Sequence, residues 1–108
     1  QLLGPLLARP DIFWVNLQHG PARGDIGTQL WTNPEIDPAG DFDPLAAQIA
    51  ALDIVVSVSN GTAHLAAALG KPTMLMLPKV LGRHWYWFPE RDSNPWYPSV
   101  RTFVQETD

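Results

Sequence analysis

The sequence contains no cysteine, which excludes a disulfide framework, a thiol nucleophile and any cysteine-ligated metal site. No apolar run approaches the roughly 20 residues that a membrane-spanning helix needs. The apolar stretch Leu2–Ala8 is short and lacks the basic flank of a signal peptide. Positive charge is sparse and scattered. Arg9, Arg23, Lys71, Lys79, Arg83, Arg91 and Arg101 stand apart in a chain of formal net charge −4, whereas a nucleic-acid binder concentrates its cations. Internal repeats and low-complexity tracts are missing too. Together these absences lead us to expect a cytoplasmic protein with no nucleic-acid partner and no membrane span.

What is present suits one modest packed domain: 108 residues, 45% hydrophobic and 17% charged. Gln1 in place of an initiator Met is expected of a piece of a longer protein, or of a processed one. "DIFWVNLQ" (Asp11–Gln18) is an apolar run between Pro10 and Gly20-Pro21 and reads as a buried strand, preceded by a helix end at Leu2–Ala8. "GTQLWTN" (Gly27–Asn33) reads as a shorter strand, and the Pro- and Asp-rich Asn33–Pro44 as loop. Asp43-Pro44 suits a helix start, with Asp as N-cap and Pro at the first helical position, and Leu45, Ile49 and Leu52 share one face of Pro44–Leu52. "DIVVSV" (Asp53–Val58) is apolar on both faces, as central strands are, and "TMLML" (Thr73–Leu77) is a second buried strand. Between them Thr62–Leu69 reads as a helix stopped by Gly70, with Lys71 placed for the negative end of its dipole and Pro72 forbidding continuation. Strand–helix–strand implies parallel pairing. The tail "GRHWYWFPERDSNPWYP" (Gly82–Pro98) holds Trp85, Trp87 and Trp96; a short helix near Arg83–Phe88 and a last strand at Val100–Gln105 are expected. The sum is a layered, Rossmann-like α/β domain with a mostly parallel sheet of about five strands, Asp11–Gln18 lying beside Asp53–Val58.

The join "SVSNGTAHLAAALGKP" (Ser57–Pro72) is the candidate site. Ligands of open parallel sheets sit beyond the carboxyl ends of the strands. A helix beginning there bares amides and a positive dipole end to an anion. Gly61 allows close approach, Ser59, Asn60 and Thr62 carry donors, and His64 in the first turn is a further one, especially when protonated. The same residues are also what an ordinary N-cap uses, with Ala63, Ala66, Ala67 and Gly70 as a small face against the sheet. Residue types alone favour the plain cap. The segment is neither a Walker loop nor a GxGxxG fingerprint.

The stretch "LAAQIAALDIVVSVSNGTAHLAAALGKPTMLMLP", followed by "HWYWFPERDSNPWYPSVRTFVQ" and preceded by "FWVNLQHG", resembles the donor-binding half of heptosyltransferase-like (glycosyltransferase family 9-like) enzymes. More closely, it is similar to the glycosyltransferase domain behind tetratricopeptide repeats in many bacterial proteins. The likeness covers most of the chain, and its specificity lies in the ordered combination of segments. It implies the metal-independent GT-B arrangement, two Rossmann-like domains facing a cleft, with a nucleotide-diphosphate sugar bound mainly to the C-terminal one. Residues 1–108 then form part of that C-terminal domain, without its usual first strand. The family's donor-phosphate loop falls on Ser59, Asn60, Gly61 and Thr62, with His64 after it. Where the family commonly has an acidic residue this chain has Ser59, so that carboxylate's contact to the donor is missing.

The function expected from the resemblance is donor binding in transfer of a sugar to a hydroxyl acceptor. The partners it implies are the nucleotide sugar, as substrate and not cofactor, an acceptor domain carrying the general base, and tetratricopeptide repeats of the same protein. The 108-residue chain by itself is expected not to turn over. The alternative is a non-catalytic Rossmann-like binding or scaffold module; an unrelated Rossmann-like fragment ranks third. Gln18, at a strand end, is a possible donor contact, though a polar strand end is ordinary. "DFD" (Asp41–Asp43) resembles a metal-binding DxD but is set aside, since Asp43 is accounted for as a cap and no strand precedes Asp41. His19, His64 and His84 are too dispersed to suggest a metal site. Trp14, Trp31 and the Trp85–Tyr97 aromatics read mainly as packing, with an exposed Trp or Tyr near the loop as a place for a base or sugar.

Overall fold

The computed structural model describes residues 3–18, 30–37, 40–80, 84–91 and 93–106. Contacts divide the chain into two compact units, Gln1–Leu45 and Ala46–Asp108. Among the described residues no helix is long and apolar enough to cross a membrane.

In the N-terminal unit, a single helical turn, α1 (Gly4–Leu7), has Pro in its first turn, where a missing N–H costs nothing. After it, Arg9 donates from Nε and Nη2 to the two carboxylate oxygens of Asp11, at 3.0 and 2.7 Å. That guanidinium holds the Asp11 carboxyl below its ordinary range, yet both side chains are exposed and solvent screens the pair.

The strand expected at Asp11–Gln18 is not formed. It is reduced to one parallel bridge, Val15 to Trp31, closed by Asn16 N–H to the Trp31 carbonyl and Trp31 N–H to that of Trp14, both 2.8 Å. Asn16 itself works against a longer ladder. Its Oδ1 accepts from the Gln18 amide at 2.9 Å and its Nδ2 donates to Thr32 Oγ1 at 3.2 Å, an Asx turn that takes the chain out of strand pairing. Nor is the run buried throughout: Phe13 and Trp31 are exposed and lie 6.1 Å apart, and Trp14 is half-buried. Of the expected strand Gly27–Asn33, residues 27–29 lie outside the described residues and Trp31 makes only this bridge.

Helix α2 (Phe42–Ala51) begins two residues earlier than the Asp-Pro pair suggests. The cap is Asp41, whose Oδ1 accepts from the Asp43 amide at 3.1 Å; Asp43 sits in the first turn, where its charge favours the dipole. The DFD pair is thus a cap and a first-turn acid. Leu45 and Ile49 are the buried positions of the helix.

The C-terminal unit is an α/β layer. Strands β1 (Val55–Val58), β2 (Thr73–Leu77) and β3 (Val100–Val104) form a three-stranded parallel sheet in the order β1-β2-β3. This corrects the expected five strands, and it makes β2 central and β1 an edge among the described strands. "VVSV" is apolar on both faces, but that pattern reports which side chains avoid water and not how many neighbours the backbone has. Helix α3 (Gly61–Ala68) is the crossover between β1 and β2. Between β2 and β3 the described residues form an aromatic loop with one 3₁₀ turn, Trp85–Trp87, and among them no α-helix of the kind that usually fills this position.

Helix and loop share the cover of one sheet face. Ala63 and Ala67 of α3 and Trp87 of the loop pack with Leu75, Leu77 and Val100, flanked by Tyr86, Tyr97 and Val104. The alanines keep α3 close to the strands; Trp87, with no exposed area, fills the space the helix leaves. The helix ends as a Schellman motif: Lys71 N–H bonds the Ala66 carbonyl and Gly70 N–H that of Ala67, each at 3.0 Å, with Gly70 at φ +73°. The Lys71 ammonium does not serve the C-terminus of α3. It reaches the carbonyls of Ala50 (3.1 Å) and Leu52, at the C-terminal end of α2. A Cβ on Gly70 would meet nothing within 4 Å, so the left-handed backbone alone sets the penalty of substitution. Gly70→Ala is expected to lower the unfolding free energy by about 1–2 kcal/mol with an unchanged urea m-value, read from the shift in midpoint.

Candidate functional site

β1 ends at Val58, and Ser59-Asn60 carries the chain from the carboxyl end of the sheet into α3. Asn60 is extended (φ −157°, ψ 178°) and is the N-cap, its Oδ1 accepting from the Ala63 amide at 2.9 Å. Ser57 Oγ lies 3.1 Å from the same Oδ1 and 2.9 Å from the Val58 carbonyl, so its one proton is shared between them. The first intrahelical bond is His64 N–H to the Asn60 carbonyl, at 3.3 Å. Asn60 therefore satisfies the third amide of the helix, while those of Gly61 and Thr62 have no acceptor within α3. Gly61 is exposed, and a Cβ there would meet nothing within 4 Å. Both amides lie at the carboxyl end of β1, with Gly61 exposed and Thr62 half-buried.

Ser59 and His64 are tied to the aromatic loop. The Trp87 indole donates from Nε1 to Ser59 Oγ at 2.8 Å, leaving the serine its own proton to give. The His64 ring stacks on Trp87 (centroids 4.5 Å, 29°) and is flanked by Tyr86 (5.4 Å) and Tyr97 (5.8 Å). Its Nδ1 lies 3.3 Å from the Tyr97 hydroxyl. The fold thus gathers Ser59, Asn60, Gly61, Thr62 and His64 at one helix start, and divides them. Asn60 and Gly61 are exposed and Thr62 is half-buried beside them; Ser59 and His64 form a polar seam against the loop. Gln18 belongs to the N-terminal unit, exposed, its amide engaged by Asn16.

The sequence reading gave Trp87 no role beyond packing and passed over Asn94. Asn94 is buried, 2% exposed, and is the clamp of the loop. Its Nδ2 donates to the Tyr86 carbonyl at 3.0 Å, and its Oδ1 accepts from the amides of Trp96 (2.8 Å) and Tyr97 (3.0 Å). One side chain therefore fixes the 3₁₀ turn to the segment carrying Tyr97, and so sets two of the walls around His64. The signal was local: Asn94-Pro95 is an Asx-turn dipeptide. Nothing local signals the Trp87–Ser59 bond, which spans 28 residues.

A shallow hollow of about 390 Å³ opens beside the 3₁₀ turn, lined by Val80, His84, Trp85, Phe88, Pro89 and Glu90. A second, of about 620 Å³, lies by the C-terminal half of α3, between Ala67, Ala68 and Gly70 and the Trp96–Ser99 segment. Neither is lined by residues 59–64.

No family model matches the chain, and no solved structure matches it. Over 113 aligned residues, which take in 94% of the chain, it is 37% identical to Protein FlbA of Caulobacter vibrioides. The chain spans 18% of that protein's length.

Proposed function

We propose that this chain is the donor-binding portion of a glycosyltransferase of the GT-B arrangement, seating the diphosphate of a nucleotide sugar on the N-terminus of α3. The observation that carries the reading is the pair of amides, Gly61 and Thr62, that α3 itself leaves without an acceptor at the carboxyl end of β1, with room for a side chain at the exposed glycine. In sugar transfer, negative charge grows on the departing nucleotide diphosphate. N–H groups already fixed by a helix stabilise that charge without reorganising. The Ser59 hydroxyl, oriented by Trp87, supplies a third donor beside them. The general base belongs to an acceptor domain of the whole protein.

A second reading has its own support. Ser59 and His64 are both engaged by the aromatic loop, as a structural seam requires, and that favours a Rossmann-like binding or scaffold module without catalysis. Both readings are tested by titrating the chain with inorganic pyrophosphate, UDP, GDP and ADP while following backbone amide signals. The transferase reading expects shifts centred on Gly61 and Thr62. Gly61→Pro is the matched variant. It stands at the first helical position, where proline is favoured, after an Asn60 already extended as a pre-proline residue must be. It deletes one donor amide and keeps the fold, so the anion response should fall at least tenfold at an unchanged or slightly raised melting temperature. A wild-type chain whose amides ignore all four anions leaves the scaffold reading.

A further inference from the structure

Trp85 is 71% exposed although it sits in the most tightly built part of the loop, between the buried Trp87 and the clamp at Asn94. Its ring is held on two sides at near right angles, by Phe88 (6.3 Å, 77°) and by Trp96 (6.2 Å, 75°), itself 63% exposed. Phe88 adopts a left-handed backbone, φ 49° and ψ 58°, a conformation that costs a bulky L-residue free energy. The Arg91 guanidinium lies 5.7 Å over the Phe88 ring and braces it. The strained turn is what sets Phe88 upright against Trp85. The hollow they border, about 390 Å³, lies within the size range of small-molecule sites, and it adds a carboxylate, Glu90, and an imidazole, His84, to apolar walls. A loop concerned only with covering the sheet would turn its largest ring inward, as it does Trp87.

We infer that Trp85 is the stacking shelf for a heteroaromatic base, with Phe88 as side wall and the polar rim at Glu90 and His84 meeting the base edge. This rests on the proposed diphosphate seat and adds the nucleoside half of the same ligand. Two ring-to-ring steps, 5.4 Å from His64 to Tyr86 and 5.9 Å from Tyr86 to Trp85, run from the helix that carries the seat to the shelf. Every base offers a π-face, and a stacked aromatic is worth about a tenfold to hundredfold in binding.

The test separates the halves of the ligand. Uridine, guanosine and adenosine, which carry no phosphate, are titrated against the chain while the Trp85 indole N–H signal is followed. At least one nucleoside should shift it. Trp85→Ala should abolish that shift and weaken the matching nucleoside diphosphate tenfold or more, with the fold retained because the side chain is exposed. Gly61→Pro should leave the nucleoside shift intact. A Trp85 signal that ignores all three nucleosides overturns the shelf, as does a Trp85→Ala chain that binds the nucleoside diphosphate as tightly as wild type. A pyrophosphate response at Gly61 without a nucleoside response would overturn the shelf alone; a nucleoside response without the pyrophosphate one would leave the shelf and remove the seat.

Discussion

Trp87→Ala should remove about 3–5 kcal/mol of folding stability, the range for truncating a fully buried aromatic. Against the roughly 5–15 kcal/mol that holds a domain folded, this brings the chain close to unfolding at ambient temperature. The reasons are additive in kind. The side chain has no exposed area and belongs to the core cluster that holds Leu75, Leu77 and Val100 with Ala63 and Ala67 of α3. Among the described residues no crossover α-helix stands between β2 and β3 to close over the hole. Its indole N–H also satisfies Ser59, and its ring carries His64. Trp87→Phe separates the contributions: it keeps most of the ring and drops the N–H, and should cost about 1–3 kcal/mol. Urea unfolding followed by far-UV circular dichroism reads both. An alanine variant with an unmoved midpoint would mean that the loop is not part of the cooperative unit, and the account of the sheet's cover would fall with it.

That core explains why some of this structure was legible in the residues and some was not. Helix α3 is specified locally at both ends, by Asn60 as cap and by Gly70 in the left-handed stop; Gly70 stands where the sequence placed the stop, whereas the helix begins at Gly61, one residue before the expected Thr62. "TMLML" lies in the middle of a parallel sheet and reads as what it is. Local chemistry misled where two caps competed: Asp43-Pro44 is a good helix start, but Asp41 offers the same carboxylate two residues sooner and adds another half turn. At Asp11–Gln18, composition argued for a strand while the Asn16 side chain claimed the amide that a ladder would need. Sequence position alone pairs Lys71 with the end of α3, whereas its long side chain reaches the end of α2. At the candidate site, that α3 leaves the Gly61 and Thr62 amides without an intrahelical acceptor follows from helix geometry alone. The seam, Ser59 with Trp87 and His64 among three aromatic rings, depends on contacts more than twenty residues apart, and no periodicity encodes those.

Asn94→Ala is the counterpart test, a polar side chain whose loss should rival that of a core aromatic. Three hydrogen bonds end on it, and two backbone amides and a carbonyl would be left in a site that is 2% exposed. Each unsatisfied buried group costs about 1–3 kcal/mol. Partial relaxation toward water reduces the sum, and a net loss of about 3 kcal/mol is expected. The structural readout is sharper than the energetic one. Asn94 holds the Tyr86 carbonyl and the Tyr97 amide to one side chain, so its removal uncouples the 3₁₀ turn from the strand-entry segment and opens the aromatic box around His64. The His64 ring proton signals, shifted by the rings of Tyr86, Trp87 and Tyr97, should move toward their unfolded positions while the Ala63 and Leu75 amides stay protected from hydrogen exchange. Asn94→Asp keeps the two acceptor bonds and loses the donated one, so it should fall between wild type and alanine. If alanine moves neither the His64 signals nor the midpoint, the clamp is decoration, and the loop's geometry, including the upright Trp85, must be held by ring packing alone.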